Sequence, residues 1–225
     1  MSGFFITSSG TEIGKTLVTA ALCYQLRQAG KPVTALKPII SGVTDDAMEG
    51  TDTAIIADGL GLELTPDVVN QISPFRYKAP LAPVMAAELE GRTLDYDALI
   101  GVCRNSLEAN PFTLVEGVGG SFVPLVGKTL VTDWISDLGL PSLMVVGSYL
   151  GTISHTVATF EAMRARGLET RGIIVSESAG DEHPDLERTA REIASLTGVP
   201  TLTIPRIKAD RPWRHAPDLL PLVGI

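Results

Sequence analysis

Basic residues are scarce in this chain of 225 residues: 18 Lys and Arg stand against 26 Asp and Glu, for a net charge of −8. That balance argues against bulk binding to nucleic acid or to an anionic membrane, both of which require a basic face. It leaves room for a small phosphate site built from one or two lysines. Cysteine is scarcer still. Cys23 and Cys103 lie far apart in stretches of helical pattern, too few for a disulfide framework or a zinc site. They read as buried free thiols in a reducing compartment. The three histidines, His155, His183 and His215, show no ligand spacing and read as helix-end or surface residues. A Gly-x-Ser-x-Gly elbow and a Cys–His pairing are both missing, so nucleophilic hydrolase chemistry has no support. No apolar run reaches the roughly 18 residues of a membrane-spanning helix. The richest, residues 140–150, is broken by Pro141, Gly147 and Ser148. The N-terminus lacks the basic start and apolar core of a signal peptide. The expectation is a soluble cytoplasmic protein without a nucleic-acid or membrane partner.

What is present is an alternation of two patterns. Short, near-continuous apolar runs at residues 4–6, 33–36, 112–115, 143–146, 173–175 and 202–204 read as strands covered on both faces. Longer amphipathic stretches lie between them, at residues 15–29, 53–60, 83–90, 96–108, 131–138, 154–166 and 185–196. In the first, Val18, Leu22 and Leu26 recur at helical spacing, and Gly30 follows as a suitable C′ residue. Residues 61–83, with four prolines, read as the longest loop, and residues 181–184 as a second. The expected architecture is a single α/β domain over residues 1–225, with a mostly parallel central sheet and helices on both faces. Ligands of such sheets bind outside the carboxyl ends of the strands.

The residues at those ends carry chemistry. After the first strand comes Thr7-Ser8-Ser9-Gly10-Thr11-Glu12-Ile13-Gly14-Lys15-Thr16, which runs directly into a helix. Gly14-Lys15-Thr16 is the end of a P-loop: backbone amides cradle phosphates, Lys15 reaches the terminal ones and Thr16 can ligate Mg²⁺. Ser9 stands where the full pattern has glycine. The second strand ends in Lys37-Pro38-Ile39-Ile40-Ser41-Gly42, whose lysine can hold an anionic reacting group near those phosphates. Glu116 ends another strand, ahead of Gly117-Val118-Gly119-Gly120, and a strand-end carboxylate suits Mg²⁺, directly or through water. Asp52, before a helix, reads equally as an N-cap.

Together with Leu150-Gly151-Thr152-Ile153-Ser154-His155, these motifs resemble, in order and spacing over about residues 3–207, those of the dethiobiotin synthetases. These are ATP-dependent ligases that close the ureido ring before the last step of biotin synthesis. The resemblance implies a P-loop NTPase-like three-layer fold and a homodimer acting on 7,8-diaminononanoate, CO₂, ATP and Mg²⁺. It implies Lys37 as the catalytic lysine, assisted by Lys15, and Thr16, Asp52 and Glu116 as the Mg²⁺ set. Glu12, Ile13, Gly14, Lys15, Thr16 and Leu17 would hold the triphosphate, together with Asp52, Glu116, Gly117, Val118 and Gly119. Ser176, Glu177, Pro205, Arg206 and Ile207 would line the nucleotide's edge. Thr11, Lys37 and Ser41 would touch the substrate, and Gly151, Thr152, Ile153 and Ser154 would receive its carboxylate across the dimer interface. Other readings are a ParA/MinD-like regulatory ATPase, which carries a lysine where this chain has Gly10, and a catalytically inactive nucleotide or metabolite sensor. A related amidoligase would need a glutaminase domain, for which this chain is too short.

Overall fold

The structure, a computed structural model, describes residues 3–179 and 184–225. In chain order the elements are β1 (Gly3–Ser8), α1 (Lys15–Gln28), β2 (Thr34–Leu36), β3 (Ile39–Ser41), α2 (Asp52–Leu60), α3 (Pro66–Ile72), β4 (Phe75–Tyr77), α4 (Pro83–Leu89), α5 (Tyr96–Ala109), β5 (Thr113–Glu116), β6 (Pro124–Val126), β7 (Thr129–Leu130), α6 (Val131–Leu138), β8 (Ser142–Gly147), α7 (Thr152–Ala165), β9 (Thr170–Ser176), α8 (Leu186–Thr197) and β10 (Thr201–Ile204). Short 3₁₀ turns follow at Pro212–His215 and Leu220–Val223.

The six apolar runs read as strands form one sheet, in the order β10-β9-β8-β1-β5-β2, and every pairing in it is parallel. Register brings the carboxyl ends together on one edge. Ile6 lies beside Glu116, Leu36 beside Val115, Gly147 beside Ser176 and Ser176 beside Ile204. Side chains alternate between the two faces, as the period of two requires. Phe4 and Ile6 of β1 pack with Val18 and Leu22 of α1, Ile56 of α2, and Trp213 and Leu219 of the C-terminal tail. Phe5 points the other way, into a core with Leu99 of α5, Trp134 of α6, Phe160 of α7 and Ile193 of α8. Its ring meets Trp134 edge-on at 4.9 Å. Helices therefore cover both faces of a buried parallel sheet, the expected three-layer fold.

Helix α1 ends as expected, with Gly30 at φ +69° one residue past the cap. Helix α2 lies against it so closely that a Cβ on Gly59 would fall 2.7 Å from the Ala20 carbonyl oxygen. Both cysteines are buried free thiols, in α1 and α5. No helix among the described residues is long and apolar enough to cross a membrane.

One expectation changes, and one reading left open by the residues alone is decided. Residues 61–83 are not one loop: they contain α3 and β4. Pro66 sits in the first turn of α3, where a missing N–H costs nothing, and the Thr65 hydroxyl caps the helix by accepting from Val68 N–H. Strand β4 pairs in parallel with β3 as a separate ribbon. Asp52 is not an N-cap: Thr51 holds that place, its hydroxyl accepting from Ala54 N–H. Asp52 is the first residue of α2, and its side chain is committed elsewhere. The loop expected at residues 181–184, with His183, lies outside the described residues apart from Pro184. His155 and His215 are exposed.

Candidate active site

The chain leaves β1 at Ser8 and enters α1 at Lys15 through a loop that only particular backbone conformations allow. Gly14, the residue before α1, has φ +99°, and a Cβ there would lie 2.7 Å from the Ser176 hydroxyl oxygen. Glu12 adopts φ +58° without being glycine, and such strained residues concentrate at ligand clamps. No side chain among the described residues caps α1, so its first amides remain available to an anion, which the helix dipole also favours. Ser8 Oγ lies 2.6 Å from the Gly10 carbonyl oxygen and 2.9 Å from that of Gly119, and it accepts from Lys15 Nζ at 3.2 Å. The Ser9 hydroxyl is buried without a hydrogen-bond partner among the described residues.

A lysine and two carboxylates meet beside this loop. Glu116, at the end of β5, is wholly buried. One of its oxygens accepts from Thr16 Oγ1 at 2.8 Å and Lys37 Nζ at 2.7 Å, and the other accepts from Thr19 Oγ1 at 2.6 Å. Lys37, the residue after β2, also reaches Asp52 at 3.2 Å and the Gly117 carbonyl at 3.3 Å. Burial works against the Lys37 charge, yet the Glu116 and Asp52 carboxylates outweigh it and hold its pKa above the ordinary lysine value. Lys15 responds in the opposite direction. Burial, and then the charge of Lys37, push it down to about 8 against the weaker pull of Glu116 and Asp52. A lysine with an easily lost proton therefore stands next to one that is firmly charged.

The donor set of Thr16, Asp52 and Glu116 is all oxygen, which suits Mg²⁺, an ion that keeps waters and takes its remaining ligands from phosphates. Asp52 and Glu116 gather around one ammonium and Thr16 bonds to Glu116, so the cluster already accommodates a cation. The residues fit the ion.

Two cavities open along this edge. The larger, about 620 Å³, is lined by Thr11 to Thr16 of the loop, by Lys37, Ser41, Asp52, Val118 and Gly119, and by Ile40, Pro80, Leu81, Ala82, Pro83 and Val123. Glu116 and Gly117 stand behind Lys37 rather than in its wall. The second, about 350 Å³, begins at Glu12, Ile13, Gly14 and Leu17 and extends over Ser176, Glu177, Pro205, Arg206 and Ile207 to Ser178, Ala179 and Pro212. Glu177 accepts from Arg206 N–H at 2.5 Å, which ties the ends of β9 and β10 together. The loop thus joins the two cavities as one elongated site.

The structure does not bring Gly151, Thr152, Ile153 and Ser154 into either cavity. They begin α7, where Gly151 stands at φ +97° and no side chain among the described residues caps the helix. Thr152 is buried and donates to the Gly147 carbonyl at 2.7 Å, while Gly151 and Ser154 are exposed. Sequence reasoning missed the wall at residues 80–83, apolar residues with no chemical signature, although Pro83 at the start of a helical stretch marks where α4 begins. It also missed Thr19, whose only signal is its place one helical turn after Lys15, and Pro212.

The fold is shared widely. The chain superimposes on the MinC:MinD cell division protein complex of Aquifex aeolicus with a TM-score of 0.56 at 14% identity, covering 100% of this chain and 86% of that one. It matches a ParA family ATPase from Chlorobium tepidum TLS with a TM-score of 0.54 at 16% identity, over 92% and 85% of the two chains. Identities this low report the P-loop fold alone. Sequence comparison is more specific. A family profile described as "AAA domain" matches residues 2–209. An ATP-dependent dethiobiotin synthetase BioD of Methylobacterium nodulans is 42% identical over 212 residues, 92% of this chain and 94% of the relative. The protein of the same name from Caulobacter vibrioides NA1000 is 44% identical over 191 residues, 84% and 85% of the two chains. With a P-loop, a strand-end lysine and a strand-end glutamate converging on one cleft, and with relatives aligned over nearly their whole length, the chain belongs to the ATP-dependent dethiobiotin synthetase family.

Proposed function

We propose that the chain, as one catalytic domain over residues 1–225, is an ATP- and Mg²⁺-dependent cyclo-ligase. It converts 7,8-diaminononanoate and CO₂ to dethiobiotin, with ADP and phosphate as the other products. The observation that carries this reading is the meeting of Lys37, Thr16, Asp52 and Glu116 beside the P-loop, in a chain 42% identical to a named synthetase over nearly its full length.

The reaction takes three steps. A substrate amine adds to CO₂ and loses a proton, giving a carbamate. A carbamate oxygen attacks the γ-phosphorus, the bond to ADP breaks, and a carbamic-phosphoric anhydride results. The neighbouring amine attacks the anhydride carbonyl carbon, phosphate leaves, and the ring closes with loss of a proton. Phosphoryl transfer of this kind depends on positioning and charge stabilisation rather than on a covalent protein nucleophile. Residues 12–17 hold the triphosphate through backbone amides and Lys15. Lys37, held charged by its carboxylate neighbours, offsets the repulsion between carbamate and γ-phosphate. Thr16, Asp52 and Glu116 would hold Mg²⁺, which when bound supplies positive charge to the β- and γ-phosphate oxygens.

Thr11 and Ser41, in the wall of the larger cavity, contact the diamine. Gly151, Thr152, Ile153 and Ser154 receive the substrate carboxylate at the uncapped start of α7, contributed by the second subunit of a homodimer. Leu150, 90% exposed immediately before them, supports burial of that corner against another chain. Ser176, Glu177, Pro205, Arg206 and Ile207 line the nucleoside end. The test is phosphate release from ATP with Mg²⁺ and bicarbonate, with and without 7,8-diaminononanoate. The diamine raises release many-fold if the reading holds; release that ignores the diamine refutes it.

A further inference from the structure

Residues 211–223 cross the face of α1 and α2 as a strap. Trp213, Leu219, Leu222 and Val223 are buried in the core beneath these helices. Gln25 of α1 donates to the carbonyls of Ala216, at 3.3 Å, and Pro217, at 2.8 Å, and accepts from Leu219 N–H at 2.9 Å. Near the start of the strap, Asp58 of α2 gathers three partners. Its Oδ1 accepts from Trp213 Nε1 at 3.0 Å and from Arg214 at 2.9 Å, and its Oδ2 pairs with Arg211 at 3.1 Å. The residue enclosed by these three is Pro212, which is also the strap's contribution to the second cavity.

We infer that Asp58 is a positioning residue for the nucleoside end of the site: it fixes residues 211, 213 and 214 and so sets Pro212 as a wall against the base and ribose of a nucleoside triphosphate. This rests on the nucleotide reading above. Three contacts on one carboxylate, distributed on both sides of Pro212, restrain that residue more than any single bond would. Pro212 presents an apolar ring with no N–H to satisfy, and it faces a cavity whose other apolar members include Ile13, Leu17, Ala179, Pro205 and Ile207. Those apolar members suit a flat, weakly polar group better than a phosphate. The cavity on the Lys37 side of the loop, by contrast, has no strap residue in its wall among the described residues. Because α2 carries Asp52 at its first turn and Asp58 in its last, one helix braces both ends of the site, but through different residues.

The experiment compares two probes in calorimetric titrations of the full chain: ATP with Mg²⁺, and inorganic tripolyphosphate with Mg²⁺, which lacks a nucleoside. Asp58→Asn is expected to weaken ATP binding roughly tenfold, the scale of losing charge-assisted hydrogen bonds, and to leave tripolyphosphate affinity unchanged. In steady-state assays KM for ATP rises while kcat at saturating ATP holds. Arg211→Gln, which removes only the half-exposed partner, keeps the question open to test if Asp58→Asn fails to fold. It is expected to shift ATP affinity in the same direction by a smaller factor. Equal weakening of both probes, or of neither, overturns the inference, because a strap that only stabilises the fold would move both or none. Wild-type protein that binds neither probe overturns the nucleotide reading and this inference together; wild type and variant binding ATP alike overturns this inference alone.

Discussion

Replacing Lys37 by methionine keeps the apolar stem and deletes the ammonium, which exposes what the buried cluster contributes. Glu116 is wholly buried and has three donors, Thr16, Thr19 and Lys37. Without Lys37 it keeps two neutral hydroxyls. Asp52 weighs little in this account, because its side chain is 40% exposed and can turn to water. The loss is that of one partner of a buried ion pair, about 3–5 kcal/mol. In a chain of this size each kcal/mol moves Tm by roughly 2–4 °C, so the variant should melt about 6–20 °C below wild type in the absence of divalent cation. Two controls separate this cause from loss of packing. Lys37→Met with Glu116→Gln removes both charges and should recover most of the drop, a coupling that a double-mutant cycle measures. Adding Mg²⁺ without nucleotide should raise the Tm of Lys37→Met more than that of wild type, because the oxygens that hold the ion are otherwise engaged by the ammonium. Calorimetric melting with Mg²⁺ or with chelator reads these three proteins and the Glu116→Gln single variant that completes the cycle. A single variant that melts with wild type in chelator, or a double variant less stable than the single, would refute the reasoning.

The same substitution should lower kcat far more than it lowers ATP affinity, since the proposed reaction puts Lys37 at the reacting groups and the triphosphate on residues 12–17; unchanged turnover removes the catalytic assignment. Gly59→Ala places a methyl 2.7 Å from the Ala20 carbonyl and should cost about 1–3 kcal/mol, visible in urea unfolding as a lower midpoint at constant slope; a midpoint equal to wild type would show that the two helices separate freely. The thiols should resist a disulfide reagent at pH 8. Burial raises both pKa values, that of Cys103 to about 12, so neither is a thiolate at that pH and neither is accessible. Colour should appear only after unfolding, and a fast native phase would contradict the burial of α1 or α5.

How far the sequence could be read follows from what a residue's neighbours reveal. The six sheet strands stand out because both of their faces are covered, which makes them near-continuous apolar runs. The ribbons β3–β4 and β6–β7 have strands of two or three residues, too short for any period to register. Helix α3, seven residues long, begins at a proline, and four prolines in one stretch read as a loop although two of them, Pro66 and Pro83, start helices. Lys15, Lys37, Glu116, Ser176 and Pro205 could be placed because each stands at or just beyond a carboxyl strand end or at a helix start, and a parallel sheet aligns those ends whatever the loops do. What strand ends alone do not specify is who pairs with whom. Lys37 reads as a candidate catalytic group and Glu116 as a candidate metal ligand, two separate roles. Their 2.7 Å contact arises because β2 and β5 are adjacent, a matter of strand order rather than of either motif. That adjacency bears on the proposed chemistry: the lysine proposed to face an anion in the reaction is, before substrate arrives, the counter-ion of the two acids proposed to hold the metal. The net charge of −8 therefore says little about the cleft, where two buried lysines face two acids and the incoming phosphates meet a site whose cation is already in place.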